Sequence, residues 1–434
     1  MNQKAWLISV NMGYGHQRAA YALKDLAIDG KNINANDYKG IPKKDRNTWE
    51  MTRKGYEAVS SFKRIPFIGN TIFSLMDYFQ RILSFYPRRD LSRPNFQLKQ
   101  TFSLIKKGWG KDLIGRLKDE NSKLKNNPPI ISTFFVSAFM AEFFNYPGEI
   151  FCVICDADVS RTWAPLNPQK SRIKYFVPTK RVFERLKLYG VKEENIFLTG
   201  FPLPLENIGT ENTEITKKDT RSRILNLDPN KKYFEKYKIL IEEKIGVLPE
   251  KSDHPLTITF CVGGAGAQKE IGAKIIKNLK QELKSGKVKL ILVAGIREKV
   301  KKYFMEKTRE LDLKNMGDSV EIIFEKEIND YFRKFNAILR KTDILWTKPS
   351  ELSFYSALGL PIIVAPIIGS QEDFNKRWLL KSGFGIFQKN PNYIKEWLFD
   401  WLKRGYLAEA AMEGFIEGEK LGTFNIKNKI CPGC

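Results

Sequence analysis

Three groups of residues in this chain can do chemistry. The first is Asn11-Met12-Gly13-Tyr14-Gly15-His16-Gln17-Arg18-Ala19-Ala20, directly after the apolar run Trp6 to Val10. Gly13 and Gly15 let the backbone turn sharply and approach a ligand closely. A helix starting there presents free N–H groups and the positive end of its dipole. His16 is one of two histidines in the chain. The helix N-terminus opposes imidazolium and favours the neutral ring, which can take a proton. Arg18 stands where the third glycine of a dinucleotide fingerprint would be, which argues against NAD. A plain glycine turn with an exposed histidine is the competing reading.

The second group is Cys261-Val262-Gly263-Gly264-Ala265-Gly266-Ala267, again after a strand-like run. A glycine nest between strand and helix can bind a diphosphate through its backbone N–H groups. No Gly-Lys-Ser/Thr follows, so it is not a Walker A loop. A tight strand-to-helix turn is the alternative. The third group runs from Trp346-Thr347-Lys348-Pro349-Ser350-Glu351-Leu352 through Gly359-Leu360-Pro361 to Gly369-Ser370-Gln371-Glu372-Asp373-Phe374-Asn375. Glu351, on a helix's first turn, can accept hydrogen bonds from two vicinal ribose hydroxyls. Gln371, Glu372 and Asp373 can do the same for sugar hydroxyls. A solvated loop explains any one of these residues but explains the whole series poorly.

The elements needed to position these groups are legible. Strand-like runs at 6–10, 129–134, 149–154, 174–177 and 195–199 alternate with helical stretches at 17–28, 137–144 and 180–188. The pattern restarts with strands at 256–262, 288–294, 320–324, 344–346 and 361–365, and helices at 270–282, 298–308, 330–340 and 351–358. Alternating strands and helices imply parallel sheets covered on both faces. Each series opens with a strand running into a glycine turn, which argues for two Rossmann-like domains. The expected organisation is a first domain over 1–205 with an aromatic and basic helical insertion at about 50–117, and a charged inter-domain segment at 206–255 containing a helix at 233–245. A second domain follows over 256–391, then a C-terminal helix and tail over 392–434, with Trp397 and Trp401 four apart.

The 434 residues are 42% hydrophobic and 28% charged, which excludes a wholly disordered chain. The net charge of +24 favours a polyanionic partner: nucleic acid, anionic headgroups or a phosphorylated substrate. The longest uncharged apolar stretch, Ile130 to Ala141, is too short for a spanning helix, which needs roughly 20 residues. No export signal is visible, and the reading is a cytoplasmic protein. Five cysteines in a chain this long do not make a disulfide framework.

These residues carry a resemblance. The chain resembles GT-B glycosyltransferases of the group containing monogalactosyldiacylglycerol synthases, processive diacylglycerol glucosyltransferases and the lipid-II-forming transferase of peptidoglycan synthesis. The Gly13-Tyr14-Gly15-His16 turn resembles their N-terminal glycine-histidine motif. Val177-Pro178-Thr179, Leu186 to Gly190 and Asn195 to Pro202 resemble the end of their acceptor domain. Gly263-Gly264-Ala265-Gly266 resembles their donor-diphosphate loop, and Thr347-Lys348-Pro349 through Gln371-Glu372 and Asn375 their nucleotide-sugar motif. The resemblance leaves out about residues 30–125 and 205–255. It implies an α/β GT-B fold, two Rossmann-like domains facing across a cleft with a C-terminal helix. It also implies transfer of a hexose or N-acetylhexosamine from a nucleotide diphosphate sugar, UDP-linked, to a membrane-lipid hydroxyl with inversion. The chain departs from the pattern in places. Ser350-Glu351 replace a glycine pair, Phe354 stands where the family has its ribose-binding Glu, and Phe134 stands where a His is often found. Glu351 is the substitute candidate for the ribose contact.

Under this resemblance Gly263, Gly264, Ala265 and Gly266 would bind the donor with Arg297, Lys348, Ser350, Glu351, Gln371 and Glu372. Gly13 and Gly15 would form the acceptor-side loop. Backbone amides would stabilise the leaving diphosphate without a metal or other cofactor. His16 is the preferred base, with Asp156 or Asp158 as carboxylate alternatives. Asp156-Ala157-Asp158 has a metal-binding spacing, but it lies in the first half, away from the diphosphate turn, and reads as a strand-end loop or an acceptor-side carboxylate.

Aromatic residues from Phe62 to Phe85, and Trp109, interleave with Lys and Arg, a composition that suits an anionic membrane surface reached from the inner face. A helical subdomain with an aromatic core is the alternative. Cys431-Pro432-Gly433-Cys434 reads as a disordered tail. Four rivals remain. A basic nucleic-acid-binding protein fits the charge, but no nucleic-acid module signature is present, so no nucleic-acid partner is expected. A nucleotide-sugar epimerase shares the fold and needs no acceptor. An NAD-dependent oxidoreductase lacks its fingerprint. A non-catalytic, transferase-like protein fits the altered donor motif.

Overall fold

In a computed structural model, residues 3–62, 82–263, 266–312, 319–367 and 370–432 are described. The chain is α/β, with two six-stranded sheets in which all recorded pairings are parallel. It divides into two compact units. One comprises Met1–Pro202, Ile368–Phe374 and Leu421–Cys434, the other Leu203–Ile367 and Asn375–Lys420.

The first unit's strands are β1 (Ala5–Ser9), β2 (Ala27–Asn34), β3 (Ile130–Ser132), β4 (Ile150–Val153), β5 (Lys174–Val177) and β6 (Ile196–Leu198), in the order β2-β1-β3-β4-β5-β6. The second unit's are β7 (Leu256–Cys261), β8 (Val288–Gly295), β9 (Val320–Phe324), β10 (Ile344–Thr347), β11 (Ile362–Val364) and β12 (Gly385–Phe387), in the order β12-β11-β10-β7-β8-β9. The central strands β3, β4, β7 and β10 are buried at every residue, because helices cover both faces of a parallel sheet. Their near-continuous apolar sequences follow from that position. Each unit has its own hydrophobic core, one running from Ile8 to Ile196 in sequence and the other from Ile224 to Phe415.

Several local expectations differ from the structure. The helix expected at 17–28 is Tyr14–Ala22, and Ala27–Asn34 is instead the edge strand β2. The sequence of β2 is mostly polar and only Ala27 is buried, because an edge strand has little to bury, so it shows no alternation. The edge strand β12 escaped for the same reason. Residues 206–255 contain the helices Leu205–Ile208, Glu214–Leu227 and Lys232–Ile245, all within the second unit. The helix expected over the C-terminal stretch is three: Ile394–Arg404, Tyr406–Glu417 and Gly422–Ile430. Gly405 makes the first break at φ +75, where a Cβ would lie 2.9 Å from the Tyr233 Cβ.

The insertion supplies the helices Lys43–Phe62, Phe96–Lys106 and Lys111–Leu124, while residues 63–81 lie outside the described residues. Trp109 is buried, with its ring edge-on to Trp49 at 4.6 Å, and Ile82 and Phe85 are buried too. These three side chains are core, which corrects the reading of them as a membrane-facing set; Leu83 and Tyr86 are exposed. Among the described residues no helix is long and apolar enough to cross a membrane. The tail reading of the last residues is also corrected. Cys431 is buried at the end of the last helix and is disulfide-bonded, while Cys434 lies outside the described residues.

Candidate active site

The strand orders locate both glycine turns. In the first sheet the chain moves outward from β1 to the edge strand β2, then crosses back to β3 on the other side of β1. Connections that diverge from neighbouring strands leave a crevice at the strands' C-terminal ends, where ligands bind in open α/β sheets. The Gly13 turn follows β1, and Thr133-Phe134 follow β3, so both lie at this switch point. Gly13 has φ +102, a backbone state that favours glycine, and it caps the helix Tyr14–Ala22. Gly15 and His16 are the second and third residues of that helix. The turn is fastened to the end of β2, since Asn11 N donates to Asn36 Oδ1 at 2.9 Å.

The His16 Nδ1 lies 2.7 Å from the Thr133 carbonyl oxygen. A carbonyl only accepts, so Nδ1 carries the proton and Nε2 holds the lone pair. Burial lowers the imidazole to about 4, against the Thr133 bond, which raises it. At neutral pH the ring is therefore an uncharged base of fixed tautomer.

The two carboxylates considered with His16 part company. Asp158 is 3% exposed. Its Oδ1 accepts from Arg185 Nε at 2.9 Å, and its Oδ2 from Arg185 Nη2 at 2.8 Å and Arg181 Nε at 3.0 Å. A buried carboxylate gripped by two guanidiniums is out of a substrate's reach, so Asp158 stands in a structural ion pair. Arg181 also lies over the Phe85 ring at 3.7 Å, and Arg185 Nη1 donates to Leu83 O, so the pair anchors residues 83–85. Asp156 is half-buried in the loop after β4, the neighbour of β3.

The second sheet repeats the logic. β7 is flanked by β8, which follows it in the chain, and by β10, which does not, so the switch point lies between β7 and β10. The glycine turn follows β7, and Lys348-Pro349-Ser350-Glu351 follow β10. The two meet: a Cβ on Gly263 would lie 2.9 Å from Lys348 Cε, so the lysine stem lies over the bare glycine backbone. Gly266 has φ +74, and a Cβ there would lie 2.9 Å from Val300 Cγ2. Val300 belongs to the helix Glu298–Glu310, whose N-cap is the exposed Arg297 after β8. The turn is thus set between the ends of β8 and β10. Gly264 and Ala265 lie outside the described residues, as does Gly369.

Ser350 caps the 3₁₀ helix Glu351–Leu358, with Glu351 at its start and half-buried. Phe354 is buried and packs on Trp378 at 5.1 Å. Gln371 and Glu372 open the helix Ser370–Lys381, on the segment Ile368–Phe374 that groups with the first unit.

Sequence reasoning missed Gln268, which takes the left-handed conformation at φ +68 and caps the helix Lys269–Asn278. Its Nε2 donates to Pro366 O at 2.7 Å, tying the glycine turn to the end of β11. It also missed Thr133 and Trp163 beside His16. A backbone carbonyl and a tryptophan from a distant loop leave no spacing signal.

The second histidine belongs to a different structure. The His254 side chain is 5% exposed, with Nδ1 2.5 Å from Asp253 Oδ1 and Nε2 3.2 Å from Asp343 Oδ1. Asp343 also accepts from Thr257 N and Asn226 Nδ2. These groups lie at the N-terminal edge of β7 and β10, the end of the sheet away from the glycine turn. Burial opposes the charge on His254, but the hydrogen bonds and charges of Asp343 and Asp253 raise it above its ordinary value. Carboxylates facing both ring nitrogens require both to be protonated. A raised folded-state pKa gives stability that is complete below about 6.5 and is lost as pH rises through the folded value. Thermal melts of the protein are therefore expected to show a transition of the second unit that holds up to about pH 6.5 and weakens above it. His254→Gln is expected to flatten that slope; an unchanged slope in the variant would rule this contact out as its cause.

Comparisons with known proteins agree with the sequence resemblance. A family model described as Domain of unknown function (DUF6938) matches residues 249–374. The chain is 24% identical over 304 residues to the processive diacylglycerol beta-glucosyltransferase of Bacillus subtilis (strain 168), covering 69% of this chain and 65% of that protein. It is 22% identical over 283 residues to the enzyme of the same description from Bacillus licheniformis, covering 63% and 60%. The matches thus span less than two thirds of these relatives' own lengths. Among solved structures, it is similar to Acinetobacter baumannii MurG at 14% identity and a TM-score of 0.48, covering 98% of this chain and 99% of that one. It is also similar to Neisseria meningitidis UDP-GlcNAc 2-epimerase bound to UDP-GlcNAc, at 15% identity and a TM-score of 0.44, covering 82% and 86%.

Proposed function

We propose that this protein is a glycosyltransferase that moves a hexose or N-acetylhexosamine from a nucleoside diphosphate sugar, UDP-linked, to the hydroxyl of a membrane lipid. The observation that carries the reading is the pairing of Lys348 with the Gly263 turn at the switch point of the second sheet. Backbone N–H groups, the start of the helix Lys269–Asn278 and a lysine ammonium form a cationic seat for a diphosphate. The similarity to processive diacylglycerol glucosyltransferases supports the donor class and the lipid acceptor.

In the proposed reaction the acceptor oxygen attacks the anomeric carbon while His16 Nε2 takes its proton. The bond from that carbon to the diphosphate oxygen breaks, its electron pair stays on the phosphate, and the nucleoside diphosphate departs. Attack from the face opposite the leaving group inverts the anomeric centre. The backbone N–H groups and Lys348 stabilise the growing negative charge without a metal. Arg297, exposed at the end of β8, is placed to add a bidentate contact. Ser350 and Glu351 read the nucleotide ribose, and Gln371 and Glu372 the sugar hydroxyls.

The test is to incubate the purified protein with UDP- and GDP-linked sugars, with and without diacylglycerol vesicles. UDP release that depends on the lipid supports the reading. Sugar-nucleotide turnover without acceptor points to an epimerase, and no turnover to a binding protein. Lys348→Ala is expected to weaken UDP binding by about 10- to 100-fold, as loss of a charged hydrogen bond does, with the melting profile unchanged. Titration calorimetry measures it, and wild-type affinity in the variant would remove Lys348 from the seat.

A further inference from the structure

The His16 imidazole sits in an aromatic box. Phe134 meets it edge-on with centroids 4.9 Å apart, and Trp163 lies 6.3 Å away. Phe134 in turn touches Phe135 at 4.5 Å, Trp163 at 6.2 Å and Trp49 at 6.3 Å, and Trp109 backs Trp49. Trp49, Trp109, Phe135 and Trp163 are buried, whereas Phe134 is only half-buried and borders the half-buried histidine. The rings come from the helix Lys43–Phe62, the turn before the helix Lys111–Leu124, the turn after β3 with the helix Phe135–Phe143 that follows it, and the 3₁₀ helix Arg161–Trp163, so the wall is assembled by the fold.

Among the described residues the group bonded to Nδ1 is the Thr133 carbonyl rather than a carboxylate. Several titratable groups stand on the elements that meet here. They include Tyr14, Arg18 and Tyr21 of the same helix, Cys155, whose thiol lies 4.0 Å from the Thr133 oxygen, and Asp156 beside it. Arg161 of the Trp163 element is spent on the carbonyls of Ser92, Ala164 and Pro165. Asp45, on the Trp49 helix, accepts from Gly110 N.

We propose that Phe134 is a positioning residue for His16: with Trp163 it holds the imidazole against the Thr133 carbonyl, keeps water from the ring and leaves Nε2 as the nitrogen that meets an acceptor hydroxyl. The proposal rests on the reading of His16 as the base. It explains how a histidine without a carboxylate partner keeps one tautomer and one orientation. An apolar wall also withholds solvent from the imidazolium, which is the burial that lowers this ring.

The chain has two histidines, so proton NMR can follow each imidazole separately, with His16→Asn assigning the signals. In substrate-free wild-type protein the His16 signal is expected to titrate with a midpoint of about 4. Phe134→Ser is expected to raise that midpoint by about one pH unit or more, and to move the acid limb of kcat/KM upward with it. Phe134→Leu, which keeps an apolar wall, should leave the midpoint within about half a unit of wild type. A wild-type midpoint near 6.5, or an unchanged midpoint in folded Phe134→Ser, overturns the proposal. Should Phe134→Ser not fold, the wild-type midpoint and the Phe134→Leu comparison still decide. The titration needs no substrate. A Phe134-dependent midpoint without acceptor-dependent turnover therefore supports the clamp and overturns only the transfer reading.

Discussion

Changing His16 to Asn lowers acceptor-dependent release of nucleoside diphosphate by about 10²- to 10⁴-fold, the range expected when a positioned general base is lost. Asn is the informative replacement. Its side-chain amide can still donate to the Thr133 carbonyl that holds His16 Nδ1, so the turn keeps its fastening while the basic Nε2 disappears. Donor affinity should be unchanged, because the glycine turn and Lys348 belong to the other unit. The loss should fall on kcat, measured with saturating donor and lipid. The pH profile gives a second readout. Burial holds the imidazole at about 4, so the ring is neutral from pH 6 to 8, and activity should fall only as pH drops toward that value. Full turnover in His16→Asn would pass the base role to Asp156, the carboxylate still half-exposed near the same strand ends.

Arg223→Met destabilises the second unit by about 3–5 kcal/mol, the cost of leaving several buried acceptors unpaired at once. Arg223 is fully buried in the helix Glu214–Leu227. Its guanidinium donates to Thr342 O at 2.6 Å, Leu358 O at 2.6 Å and Leu339 O at 2.8 Å. Leu339 ends the helix Ile328–Leu339, and Leu358 ends the 3₁₀ helix Glu351–Leu358, so one cation serves the negative ends of two helices. Burial lowers the Arg223 pKa, but its three acceptors keep the charged form useful. Thr342 leads into β10, the strand that carries Lys348. The variant should therefore lose UDP affinity together with stability. Met matches the stem's apolar volume and removes only the donors. Chemical denaturation monitors the loss, and a change below about 1 kcal/mol would show that water replaces the guanidinium without penalty.

Much of the architecture was legible because it is local. Runs such as Ile150–Val153 announce buried strands by their unbroken apolar character. The Gly13 and Gly266 turns announce backbone that favours glycine, and both have positive φ. The helix at 233–245 was placed to within one residue, as Lys232–Ile245. The edge strands β2 and β12 were not legible, because β2 is polar with little buried and β12 is only three residues long, so neither shows an apolar run or an alternation to read. The two aspartates of Asp156-Ala157-Asp158 looked alike in sequence. Arg181 and Arg185, on a helix more than twenty residues later, separated them by gripping Asp158, which is buried while Asp156 stays half-buried.

The sequence by itself determined the α/β class, the glycine turns at the strand ends and the candidates for base and diphosphate seat, since these depend on what neighbouring residues can adopt. Only the tertiary structure decided which strand ends became neighbours. Thr133 holds His16 across 117 positions of chain. Lys348 covers Gly263 because β10 pairs with β7 rather than with its sequence neighbour β9. Strand order is set by the burial of whole sheets and the routing of their connections, and no short-range pattern encodes it.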